Sequence, residues 1–203
     1  MALSKELKDW VNEFITDTVI DKLNKYNPET QQMPFHYRLL GRDRLAIFSV
    51  IQSINTTLGM SIFEELATQI ARSNPRFSVV ESQHSIGRVI SEKAQNVIQQ
   101  IIDGLSTGII KPNKLEEIER IKQKAYLGEF KSTGSTKVDL FLVERIGTIY
   151  MFDIKTAKPN KGEFKGLKRI LLEWVAIYLA ANPDTASESI YTCLAIPYNP
   201  YDP

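Results

Sequence analysis

Two short stretches in the second half of the chain, residues 137–143 and 149–156, alternate polar and apolar side chains with the period of a β-strand. The connection between them contains Gly147, which can supply the positive φ of a tight turn. The two strands are therefore predicted to pair antiparallel as a hairpin. One face of this hairpin is apolar and consists of Val138, Leu140, Leu142, Tyr150, Phe152 and Ile154.

Downstream of the hairpin, apolar residues recur at helical spacing between residues 162 and 180, which predicts an amphipathic helix. Residues 190–196 form an apolar run of strand length, and the prolines that follow cannot continue a central strand. Together these elements predict a strand–strand–helix–strand core. The helix residues predicted to pack on the sheet are Phe164, Leu167, Ile170, Leu171, Trp174 and Ile177.

The remainder of the chain has mainly helical patterns. Residues 10–23 carry an apolar stripe, and Ser4 is a plausible N-cap before it. We expect residues 1–57 to form a helical N-terminal subdomain and residues 58–203 to form the α/β core, with further chain after the Asp-Pro ending. The other helical stripes are Leu45, Phe48, Ile51 and Ile54; Phe63, Leu66, Ala67 and Ile70; Val89, Ala94, Val97, Ile98, Ile101 and Ile102; and Leu115, Ile118, Ile121 and Ala125.

Composition favours one α/β domain with that helical subdomain, because 203 residues with 43% apolar content can bury one substantial core. The single cysteine, Cys193, and the two isolated histidines, His36 and His84, offer neither a disulfide nor a thiolate or histidine metal cluster. The chain begins without the apolar run of a signal peptide and has no stretch long enough to span a membrane. We expect a cytoplasmic protein.

The predicted hairpin carries the candidate chemistry. Side chains alternate along a strand, so Asp139 is expected close to Asp153, and Asp153 and Lys155 point the same way. Two adjacent carboxylates repel each other unless a cation or a shared proton compensates, and Mg²⁺ is a natural compensation. The backbone carbonyl of Ile154 is a further candidate ligand. Lys155 would orient or activate a water, or neutralise developing negative charge, in metal-dependent phosphodiester hydrolysis.

A plainer interpretation is that Asp153 and Lys155 lie on a solvated sheet face, where such triplets are frequent. Asp139 on the preceding strand favours the catalytic interpretation, because it adds a second carboxylate at the same place.

This arrangement resembles the PD-(D/E)xK nuclease superfamily, with Asp139 as the first acid and residues 153–155 as the D-x-K element. The family's usual proline before the first acid is Val138 here. The longer sequence around these motifs resembles the TdeIII/MjaII-like type II restriction endonucleases. The segments that carry this resemblance are residues 137–142, 152–160 and 197–201. The resemblance implies a restriction-endonuclease-like core, in which a central mixed sheet is flanked by helices.

A third acid is expected from an earlier helix in such enzymes, and Glu64 is the candidate. It falls on the flank of the stripe formed by Phe63 and Leu66, whereas Glu65 lies almost opposite that stripe. The alternative is that Glu64 is a surface residue near a helix N-terminus, where negative charge is favourable.

A basic patch adjoins the candidate metal site. The whole chain carries a net charge of only +1, from 25 basic and 24 acidic residues, so bulk charge does not argue for a nucleic-acid partner. The local clustering of basic residues does argue for a nucleic-acid partner. The plainer alternative is a solvated helix face. The residues predicted to contact DNA are Lys137, Lys158, Lys161, Lys165, Lys168 and Arg169.

Residues 128–136 form a loop of small and hydroxyl-bearing residues that leads into the strand of Asp139. Its hydroxyl and N–H groups are candidates to hold a phosphate, and a plain surface loop is the alternative.

The resemblance implies a Mg²⁺-dependent type II restriction endonuclease, with Mn²⁺ as a possible substitute. Its partner would be double-stranded DNA, and a homodimer would cut both strands at a short, nearly palindromic site such as GGNCC. Two alternatives remain open: a repair or recombination nuclease of the same superfamily, and a non-catalytic DNA-binding protein that keeps the fold.

Overall fold

The computed structural model describes residues 3–27, 34–134, 136–156 and 158–197, without the side chains of Met60 and Lys161. The chain forms two compact units, Met1–Ile70 and Ala71–Pro203. The boundary between residues 57 and 58 stays a prediction.

The first unit is helical. It contains α1 (Lys5–Lys25), α2 (Pro34–Thr57), a π-helical turn (Leu58–Ile62) and most of α3 (Phe63–Arg72). The predicted N-cap is confirmed, because the Ser4 side chain accepts a hydrogen bond from the Leu7 N–H. Gly41 has a φ of 74°, which interrupts the helical conformation within α2.

The second unit contains six strands and three helices within the described residues. In chain order they are β1 (Phe77–Ser85), β2 (Val89–Ser91), α4 (Glu92–Thr107), α5 (Lys114–Ala125), β3 (Phe130–Ser132), β4 (Lys137–Glu144), β5 (Ile149–Ile154), α6 (Lys161–Ala181) and β6 (Ile190–Ala195). A 3₁₀ turn, Ser187–Ser189, precedes β6.

The main sheet has the strand order β1–β4–β5–β6. Strand β4 pairs antiparallel with both β1 and β5, whereas β6 runs parallel to β5 after the crossover through α6. The predicted hairpin is confirmed, with Phe141 opposite Met151 and a φ of 89° at Gly147. This mixed sheet, the helices around it and the helical N-terminal region confirm the predicted fold class.

The core of the second unit lies between the sheet and helices α4, α5 and α6. Met151 from β5 and Val175 from α6 are both fully buried in it. Trp174 and Ile177, which were predicted to pack here, are 3% and 2% exposed. The other large buried side chains of this core include Ile98, Ile101, Ile118, Ile121, Leu179 and Ile190.

Several details of the predicted packing are wrong. Besides the three positions that follow, the exposed residues of the predicted helical stripes are Ile20, Leu23, Phe48, Ile51 and Leu115. Phe164 is 41% exposed, because the described side chains in the first turns of α6 all lie at the surface. Val89 belongs to β2, since Ser91 caps the N-terminus of α4 and the helix begins only after it. Ile70 is 38% exposed, whereas Thr68 on the same helix is buried.

The sequence patterns also missed two elements, β1 and the small β2–β3 sheet. No helix in the described part of the chain is long and apolar enough to cross a membrane.

Candidate active site

The β4–β5 hairpin brings two carboxylates together. Leu140 lies opposite Phe152, so one residue further along the same register Asp139 faces Asp153. Asp139 lies inside β4, and Asp153 is the penultimate residue of β5. The predicted juxtaposition therefore follows from strand pairing between two well-packed strands.

Both oxygens of the Asp139 carboxylate accept hydrogen bonds. The backbone N–H of Ile154 donates to Oδ2 over 2.7 Å, and the Gln83 side-chain amide on β1 donates to Oδ1 over 3.3 Å. The carboxylate is thus held from the two strands that flank β4.

Lys155 forms an ion pair with Asp153, with 2.7 Å between Nζ and Oδ1. The Asp153 side chain is only 10% exposed, whereas that of Lys155 is 40% exposed. Lys155 follows β5 directly, and its N–H donates to the carbonyl of Ala195 on β6. The ammonium group therefore lies at the rim of the site, between a buried carboxylate and solvent.

The electrostatics of the pair favour an added positive charge. Burial raises the pKa of the Asp139 carboxyl above its ordinary value, and the neighbouring Asp153 carboxyl raises it further. The Ile154 N–H and the Lys155 charge act in the opposite direction. A cation between the two carboxylates would relieve the same repulsion.

The donor set suits a hard divalent ion such as Mg²⁺, which prefers oxygen and is often held by one or two carboxylates plus water and phosphate oxygens. Among the described residues, no group of three or more His, Cys, Asp and Glu side chains is arranged to hold a metal. Asp139 and Asp153 fit an ion that takes its remaining ligands from water and substrate. The Ile154 carbonyl stays a predicted ligand.

Glu64 lies in the first turn of α3, within the Met1–Ile70 unit. Its backbone carbonyl accepts a hydrogen bond from the Thr68 hydroxyl over 2.7 Å. Its role as a third acid stays a prediction.

The predicted DNA contacts divide into two groups. Lys168 forms an ion pair with Glu117 on α5, and Arg169 donates to Gln99 on α4, so both cations contact neighbouring helices. Lys165 and Lys158 are exposed, as is Lys137 at the start of β4. The Lys161 side chain lies outside the described residues, and the DNA-binding role of the whole set stays a prediction.

The loop predicted as a phosphate contact is partly a strand, since Phe130–Ser132 forms β3 and pairs with β2. Ser135 lies outside the described residues. The sequence analysis also missed Gln83, because its contact with Asp139 depends on the pairing of β1 with β4, and β1 has no regular alternation.

Comparison with known proteins identifies the family of this chain. A family model described as "Type II restriction endonuclease, HinfI" matches residues 3–203. The type II restriction enzyme MjaII of Methanocaldococcus jannaschii is 24% identical over 195 residues, which cover 89% of this chain and 50% of that protein. HgiEI of Herpetosiphon aurantiacus, another type II restriction enzyme, is 24% identical over 212 residues, with 97% of this chain and 74% of that protein covered.

The chain thus spans about half the length of MjaII and about three quarters of HgiEI. No solved structure is significantly similar to it. The predicted resemblance to type II restriction endonucleases, MjaII among them, is confirmed. The family match across residues 3–203 shows that this chain belongs to the HinfI family of type II restriction endonucleases.

Proposed function

We propose that this chain cleaves both strands of DNA at a specific sequence by Mg²⁺-dependent phosphodiester hydrolysis. The observation that carries the proposal is the Asp139–Asp153 pair on the β4–β5 hairpin, with Lys155 bound to Asp153 over 2.7 Å. Membership of a restriction endonuclease family supports the same activity.

In the hydrolysis, the oxygen of a water molecule bonds to phosphorus while one phosphorus–oxygen ester bond breaks. The water loses a proton, and the departing oxygen gains one. Bound Mg²⁺ would supply charge neutralisation at the phosphate and lower the pKa of water. Asp139 and Asp153 would hold the ion, with the carbonyl of Ile154 as a further oxygen ligand.

Lys155 would act on the substrate, and its partly exposed ammonium group beside a buried carboxylate supports this role. Its Nζ lies 2.7 Å from Asp153 Oδ1. It would orient the attacking water and stabilise the charge that develops on the phosphate oxygens. Glu64 would assist as a third acid.

The DNA backbone would lie along the exposed cations near this site. Lys137, Lys158 and Lys165 are exposed, so each offers a charge to a phosphate. Lys161, whose side chain lies outside the described residues, belongs to the same predicted set. Lys168 and Arg169 would contribute less, because they bind Glu117 and Gln99.

The resemblance to the TdeIII/MjaII-like group supports a homodimer that recognises GGNCC, because a two-fold enzyme matches a two-fold site. Cleavage of plasmid DNA with Mg²⁺ and with EDTA tests the activity, with Asp153→Ala as the inactive control. We expect discrete, Mg²⁺-dependent fragments whose ends map to GGNCC sites, and none with Asp153→Ala. Intact DNA in every lane, with folded protein that binds DNA, would support the non-catalytic alternative.

Random degradation without fixed ends would instead indicate a repair or recombination nuclease. Analytical ultracentrifugation of the protein with a short GGNCC duplex tests the stoichiometry. We expect two chains for each duplex, and one chain for each duplex would contradict the homodimer.

A further inference from the structure

Strand β1 contains an unusual backbone conformation beside the candidate active site. Gln83 has a φ of 50°, and no other non-glycine residue in the described part of the chain has a positive φ. L-residues rarely adopt this left-handed region, and glycine does so without strain. Strained residues persist where surrounding contacts hold them, and they cluster at functional sites.

The pairing of β1 with β4 places this residue opposite Asp139. Ser82 pairs with Leu140 and His84 pairs with Val138, so Gln83 lies across from the acid between them. The amide Nε2 of Gln83 donates to Asp139 Oδ1 over 3.3 Å, while the Ile154 N–H holds the other oxygen.

The left-handed residue also changes where its neighbour points. Residues three apart in a regular strand point to opposite faces, yet His84 Nδ1 lies 2.5 Å from Glu81 Oε2. The His84 ring stacks on Phe141, two residues from Asp139 on β4, with 4.3 Å between the ring centroids. The ring stacking and the His84–Glu81 side-chain contact hold the backbone around Gln83 in place.

We propose that Gln83 is a positioning residue, whose amide fixes the orientation of the Asp139 carboxylate for metal binding; this rests on the proposed function. An amide suits this role because it donates a hydrogen bond without neutralising the carboxylate. A lysine at the same place would compete with the metal charge. Removing hydrogen-bond partners of metal ligands lowers metal affinity by about 10- to 100-fold in other proteins.

Two variants separate the side chain from the backbone. Gln83→Met keeps a side chain of similar length and the strained φ but removes the amide. Gln83→Gly also removes the amide and relieves the strain. Ser82→Ala is the matched control, since Ser82 is the exposed neighbour that pairs with Leu140.

The measurement is Mg²⁺ binding by isothermal titration calorimetry without DNA, combined with kcat and KM for cleavage. We expect both Gln83 variants to bind Mg²⁺ about tenfold more weakly and to lose about tenfold in kcat, with KM for DNA unchanged. Ser82→Ala should match wild type. The melting temperature of Gln83→Gly should equal or exceed that of wild type, since its strain is relieved.

Wild-type Mg²⁺ affinity and kcat in either folded variant would overturn the inference while the proposed function stands. If Gln83→Met does not fold, Gln83→Gly alone decides. A wild-type protein that neither binds Mg²⁺ nor cuts DNA would overturn both the proposed function and this role of Gln83.

Discussion

Asp139 combines the two properties that a metal-binding carboxylate needs, a fixed orientation and an unfavourable charge. Two hydrogen bonds hold its oxygens, and burial beside Asp153 raises its pKa. Because the folded-state pKa lies above the unfolded one, the stability cost of ionisation appears as pH rises through the folded-state pKa. The metal-free protein carries this cost once the pH lies above the folded-state pKa.

Replacing Asp139 with Asn should separate stability from metal binding. We expect the metal-free Asp139→Asn protein to melt at the same temperature as wild type or higher, because the repulsion is gone. Mg²⁺ should raise the melting temperature of wild type by mass action but not that of the variant. Thermal melts with and without Mg²⁺ measure this, with Asp184→Asn on an exposed turn as the control. A variant that Mg²⁺ still stabilises would argue against Asp139 as a ligand.

The pKa of the Glu144 carboxyl is shifted in the opposite direction to that of Asp139. The Tyr150 hydroxyl donates to it over 2.6 Å, and Arg76 forms an ion pair with it at the same distance. The Tyr150 hydrogen bond and Arg76 lower the pKa of Glu144 below its ordinary value of 4.5. The stabilisation is therefore complete above the unfolded-state pKa and is lost as pH falls through the folded-state pKa.

Glu144→Gln should accordingly lower the free energy of unfolding at pH 7, and the difference from wild type should shrink on acidification below about pH 4. Urea denaturation of both proteins across this range measures it. A difference that is constant with pH would show that packing, not charge, is responsible.

At the scale of elements, helix α6 is exposed in its first turns and buried further along. Asn160 and Glu163 form a capping box at its start. Lys165 lies on the exposed part, whereas Lys168 reaches the Glu117 carboxylate, whose side chain is 5% exposed. Two lysines three positions apart thus have different surroundings.

The difference between these lysines is testable with a matched pair of variants. Lys168→Ala removes the ion-pair partner of the buried Glu117, which still accepts a hydrogen bond from the Asn113 N–H. We expect the free energy of unfolding to fall by about 2 kcal/mol, which is below the usual range for buried pairs because Lys168 is partly exposed. Lys165→Ala should leave stability unchanged, weaken DNA binding and reduce its salt slope by about 1.

Chemical denaturation and DNA titrations at several salt concentrations measure both effects. We expect Lys168 to stabilise the fold and Lys165 to contact DNA. Loss of stability in Lys165→Ala, or weaker DNA binding without loss of stability in Lys168→Ala, would contradict this distinction.

At the scale of the whole molecule, elements with strong local periodicity could be predicted from the sequence. The β4–β5 hairpin and α6 follow from alternation and helical spacing. The arrangement of Asp139, Asp153 and Lys155 could therefore be predicted from the sequence. Strand β1 could not be predicted, because the polar run of Glu81, Ser82 and Gln83 breaks the alternation that indicates a strand.

Other side-chain contacts could not be predicted because they join residues that are far apart in the sequence. The contacts of Lys168 with Glu117 and of Arg169 with Gln99 join residues 51 and 70 positions apart, which local charge patterns do not reveal. The contact of Gln83 with Asp139 likewise spans 56 positions and requires the β1–β4 register.

The central claim is that Asp139, Asp153 and Lys155 form one active site. The most direct test of this claim is single-turnover cleavage, with saturating protein and Mg²⁺, of a short DNA duplex. The duplex contains the sequence at which the protein cuts plasmid DNA. We expect Asp139→Asn, Asp153→Asn and Lys155→Ala each to cut at least about a hundredfold more slowly than wild type, with folding and DNA binding retained. A wild-type cleavage rate in any of these three variants would contradict the account.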